Sequence, residues 1–93
     1  MKNMTDYSDF PPIKKFKLVL QSHPQAALLY FSLWKRRAKN NTLSIKRNDI
    51  KGVFLISPTL FRNHLFSLGR LDILSFDETF EYFNIHFISL DDE

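Results

Sequence analysis

The chain has no cysteine and only two glycines in 93 residues. Without cysteine there is no disulfide framework, no zinc-thiolate site and no thiol nucleophile. With Gly52 and Gly69 alone, a glycine-rich phosphate loop is excluded. No apolar run approaches the roughly 20 residues that a membrane helix needs. The opening residues, MKNMTDYSDFPP, lack the apolar run of a signal peptide. A cytoplasmic protein with no membrane partner is therefore expected. Metal-ligand spacing is missing too: His23, His64 and His86 are far apart in the chain, and no Ser-His-Asp arrangement can be argued from spacing. The expectation is a protein without metal, cofactor or enzymatic activity.

Charge of each sign is scarce in one part of the chain. Residues 1–70 hold all 13 Lys and Arg against Asp6, Asp9 and Asp49, a balance of +10. Residues 71–93 hold no base and seven acids, a balance of −7. Segregation of this kind gives a directed field that favours a polyanion on one side. The length fits one domain with one modest core. An apolar fraction of 44% with ten Phe fits a folded globule and leaves aromatic surface to spare.

The chain divides into a flexible arm over residues 1–12, ending in Pro11-Pro12, a domain over 13–90, and an acidic tail over 91–93. Residues 13–21 read as helix or strand. Ile13, Phe16, Val19 and Leu20 have helical spacing, while Phe16, Leu18 and Leu20 alternate; helix is favoured. SHPQAALLYFSLWKRRAKN is a core helix, started at Ser22 or His23 with Pro24 in the first turn and ended by Asn40-Asn41. Ala26, Ala27, Leu29, Tyr30, Phe31, Leu33 and Trp34 form its apolar face. Thr42 to Ile45 is a short edge strand. A short helix follows with Ile50, Val53 and Phe54 inward and with Gly52 open to a neighbouring helix. After a turn at Leu55-Ile56, Ser57 caps a helix with Pro58 at its first position, and Gly69 stops it in the left-handed conformation. The period then changes from 3.6 to 2. DILSF is a strand, Asp77-Glu78-Thr79 a turn, and FEYFNIHFISL a second strand with Phe83, Ile85 and Phe87 on one face.

This order resembles the winged helix-turn-helix domains of transcription regulators and replication initiators. The resemblance runs from about Ser22 to Leu90. It is carried by LSI before the second helix, Gly52 within it, ISPTLFRNHL across the turn, LGRLDIL into the wing and FNIHFI as the closing strand. It implies an α+β fold: one winged helix-turn-helix domain with three or four helices and a C-terminal β-hairpin wing. It also implies a recognition helix, residues 58–69, lying in the major groove of double-stranded DNA. The turn FLIS has no glycine, where the family often has one, and Asp77, Glu78 and Glu81 make the wing acidic.

On a helical wheel, Thr59, Arg62, Asn63, Phe66 and Arg70 share one arc of that helix; Leu60, Phe61, His64, Leu65 and Leu68 share the other. Arg62 and Asn63 suit guanine and adenine edges, Thr59 can reach a phosphate or a thymine methyl, and Phe66 can press on a thymine methyl. These four are the expected base contacts. Lys35, Arg36, Lys39, Lys46, Arg47, Lys51 and Arg70 are the expected phosphate contacts, and Lys14, Lys15 and Lys17 can add an arm. The expected function is a small DNA-binding transcriptional regulator acting as a homodimer. The alternative is a non-catalytic interaction module or inhibitor on the same fold, meeting a partner protein through Phe66 or the acidic wing.

Overall fold

A computed structural model describes residues 10–38 and 40–88. Among these, four α-helices and a three-stranded antiparallel sheet form a small α+β domain: α1 (Ile13–Ser22), α2 (Pro24–Arg36), β1 (Thr42–Lys46), α3 (Ile50–Phe54), α4 (Pro58–Arg70), β2 (Leu74–Glu78) and β3 (Tyr82–Phe87). A 3₁₀ turn, Arg47–Asp49, leads into α3. Residues 1–9 of the expected arm, Lys39, and the end of the chain from Ser89, including the acidic tail, lie outside the described residues.

The segment with two readings is a helix. Its inward pair is Lys15 and Val19, one turn apart, with Phe16 partly buried; Ile13 and Leu20, expected inward, are exposed. Lys15 is tolerated there because its aliphatic stem packs while its Nζ donates to the carbonyl of Ile88. It is therefore not part of a free basic arm. The arm's described end is packed rather than loose, because Phe10 has ring partners in Phe16 at 5.0 Å and Phe31 at 5.5 Å.

Helix α2 starts as the sequence indicates, with His23 before Pro24, and buries Ala26, Ala27, Leu29, Tyr30 and Leu33. It ends at Arg36, before Asn40-Asn41. Arg37 takes extended backbone, donates from Nη1 to the Trp34 carbonyl at 2.8 Å and lies 3.7 Å from the Trp34 ring centroid. A side chain thus satisfies one of the helix's last carbonyls.

In the helix pair α3–α4, Ser57 caps as expected, its Oγ accepting from the Leu60 amide at 3.1 Å. Three expectations fail here. Val53 is exposed, and only Ile50 and Phe54 of α3 turn toward the core. Gly52 faces outward with nothing within 4 Å of where a Cβ would stand, so it allows no close helix approach. Gly69 is not left-handed: α4 continues through Arg70, and Asp72 takes the positive φ of 60°. The Asp72 amide bonds to the Gly69 carbonyl and the Ile73 amide to the Leu68 carbonyl. Aspartate accepts this conformation more readily than most residues.

The sheet order is β1-β3-β2. The hairpin is therefore completed by β1, with Ile45 opposite Phe83 and Leu43 opposite Ile85. Strand β2 runs two residues further than expected, keeping Asp77 and Glu78 in register with Asn84 and Phe83, so the turn falls at Thr79–Glu81. Phe83, Ile85 and Phe87 share the inner face as the alternation indicates, and they meet Phe61, Leu65, Leu68, Tyr30 and Leu33 in one core. The outer face carries Thr42, Ser44, Lys46, Ser75, Asp77, Tyr82, Asn84 and His86. It is polar and tied by Ser44 Oγ donating to Asn84 Oδ1 at 2.7 Å.

Candidate nucleic-acid interface

The candidate interface is built on α4. Phe61, Leu65 and Leu68 bury one side of this helix, which leaves Thr59, Asn63, Phe66 and Arg70 as an exposed ridge on the other. Strand β2 returns antiparallel to α4 after the Leu71–Ile73 turn. Four helical residues advance about 6 Å and two strand residues about 6.6 Å, so contacts repeat in step. Phe66 meets Phe76 edge-on at 5.2 Å, and one turn earlier Arg62 meets Glu78.

Arg62 lies at the border of the ridge, turned toward the hairpin. Its Nε and Nη2 donate to the two oxygens of Glu78, each at 2.7 Å. Arg47 adds an ion pair to the same carboxylate at 2.5 Å and donates to the carbonyls of Thr79 and Phe80. Two guanidinium groups thus hold one carboxylate and the hairpin turn. Hydrogen bonding from Arg62, with Arg47 adding to it, holds the Glu78 carboxyl down to about 2. The acid at the turn end of β2 is therefore matched by two cations, and the charge that faces outward comes from Asp77 and Glu81. His64, on the flank of α4, has its pKa lowered by burial and favours the neutral form.

The expected phosphate contacts do not form one stripe. Lys46 projects from the outer sheet face, Lys51 from α3 and Arg70 from the end of α4, all exposed. Lys35 lies over the Phe31 ring at 5.5 Å and Arg36 over the Phe54 ring at 5.2 Å, at the end of α2. Lys39 lies outside the described residues. Lys46, Arg47 and Asn48 line a hollow of about 330 Å³ with Phe80 and Glu81 beside the hairpin turn.

Two features escaped the sequence reading. Phe80 stands 90% exposed on the hairpin turn, because the turn lies later in the chain than its composition indicates. The Arg47–Glu78–Arg62 cluster joins residues from three elements, and no local spacing marks it. Among the described residues, no group of His, Asp or Glu is arranged to hold a metal ion, and no helix is long and apolar enough to cross a membrane. No protein-family model matches the chain, and neither a curated protein nor a solved structure is detectably similar to it.

Proposed function

We propose that this is a winged-helix domain that binds double-stranded DNA through α4 and acts as a dimeric transcription regulator without catalytic activity. The observation that carries this reading is the α4 ridge laid beside the hairpin by the Arg62–Glu78 and Phe66–Phe76 contacts. The chain order of α2, β1, α3, α4 and the hairpin, with β1 beside β3, supports the winged-helix arrangement. In this reading Thr59, Asn63 and Phe66 face the bases. Lys46, Lys51 and Arg70 face phosphates. Arg62 positions the hairpin instead of reading a base, since its Nε and Nη2 are held by Glu78 and turn the side chain toward β2 and away from the ridge. Ile13 and Leu20, seven residues apart on the exposed side of α1, offer an apolar strip for the second copy.

The test is duplex DNA binding across a salt series. Affinity should fall linearly on a log–log plot. Reversing Lys46, Lys51 and Arg70 to Glu should weaken binding to all sequences and shrink the slope by about one for each lost phosphate contact. Absence of duplex binding at low salt would overturn the reading. It would leave the second one, a non-catalytic protein-interaction module, which the half-exposed Phe66 and the outward-facing Asp77 and Glu81 favour.

A further inference from the structure

A separate apolar surface lies on the flank of the domain, away from the α4 ridge. Leu28 and Leu29 of α2, Val53 and Phe54 of α3, Leu55 and Ile56 of the following turn, and His64 of α4 line a groove of about 290 Å³. Leu28 is 76% exposed and Leu55 81% exposed. Leu60, one turn before His64 on α4, is exposed as well. Leu55 also holds a left-handed backbone, φ 63° and ψ 26°. At this position Gly or Asn would avoid the steric cost. A leucine there brings neither burial nor backbone ease to the isolated domain, so the residue is explained by something it touches outside it.

The surroundings select the chemistry of that partner. No carboxylate lines the groove. Arg36 lies over Phe54 at one end, and Lys51 stands on α3 four residues before Leu55. Among the described residues before Asp72, Asp49 is the sole acid. The volume suits one or two aliphatic side chains, the size of an anchor pair on a peptide and not of a broad subunit contact. A second copy seated here would bring the same leucines with the same cations. We infer that the groove docks an amphipathic helix of another protein, with leucine-like anchors about one turn apart and acidic residues flanking them.

The experiment is selection from a displayed library of helical peptides against the full chain, followed by fluorescence anisotropy with the selected peptides synthesised. The proposal expects apolar anchors at i and i+3 or i+4 with Asp or Glu beside them. It expects at least a tenfold loss of affinity when those acids become Lys, and at least tenfold with Leu28→Glu or Leu55→Glu. Amide shifts on titration should centre on Leu28, Val53, Leu55 and His64. Both leucines are exposed, so the variants should keep the wild-type circular dichroism spectrum, and their duplex DNA binding separates this proposal from the DNA reading. Failure to select any peptide would overturn it, as would peptides that are basic or that bind the leucine variants equally. Loss of a homodimer in the leucine variants, seen by sedimentation, would overturn it in favour of a second copy.

Discussion

Phe66 and Glu78 are two of the residues through which α4 and the hairpin meet. Wheel geometry places Phe66 on the polar arc, and the ring is indeed 52% exposed. What the wheel cannot show is Phe76, which arrives from a strand ten residues later and takes the ring edge-on. Phe66→Ser should therefore cost about 1 kcal/mol in urea unfolding, the value of an aromatic pair, and not the several kcal/mol of a core phenylalanine. Loss of DNA affinity at unchanged mass would keep Phe66 in the groove; loss of a dimer would move it to the contact between copies. Glu78 was legible only as an acidic wing residue, since its two arginine partners lie 16 and 31 positions earlier in the chain. Its carboxyl is held at about 2 against an ordinary 4.5, so the unfolded chain binds its proton more readily between those values. The stability it contributes is present above about pH 4.5 and is lost as pH falls toward 2. The difference in unfolding free energy between wild type and Glu78→Gln should be constant from pH 7 to 5 and shrink below that. A difference that stays flat down to pH 3 would show that the cluster does not hold Glu78 ionised.

At the scale of elements, local chemistry was legible where it is local. The Ser57-Pro58 start of α4, the apolar face of α2 and the alternation in β3 each rest on residues within one turn or one strand, and the fold bears them out. Endpoints set by tertiary contacts were not. Helix α2 stops early because Arg37 folds back on Trp34. The hairpin turn falls late because Glu78 is drawn into register by two arginines. The glycines misled because glycine permits a left-handed cap without requiring one. Gly52 and Gly69 are both helical, and a Cβ at Gly69 would meet only the Leu74 carbonyl oxygen at an ordinary 3.6 Å. Gly52→Ala and Gly69→Ala should each raise stability by about 0.5–1 kcal/mol. A loss of stability in either would place a constraint there that the packing does not show.

For the whole molecule, the charge division is the property most easily read from composition, and the fold changes its meaning. The basic residues of the first 70 positions spread over α1, the end of α2, β1, α3 and α4, and two of them neutralise an acid of the hairpin. A field of this kind favours a polyanion in general; in the proposed DNA-binding reading, discrimination is assigned to the α4 ridge, and above all to Asn63, the ridge residue able to pair with adenine in both directions. The most direct test is selection of duplex sites from a random pool with wild-type protein, followed by affinity measurements with Asn63→Ala at one fixed salt concentration. The account predicts a shared motif, with Asn63→Ala losing about 1–3 kcal/mol on the selected site and little on random duplex. A pool without a motif, or an equal loss on both duplexes, would contradict the claim that α4 reads DNA.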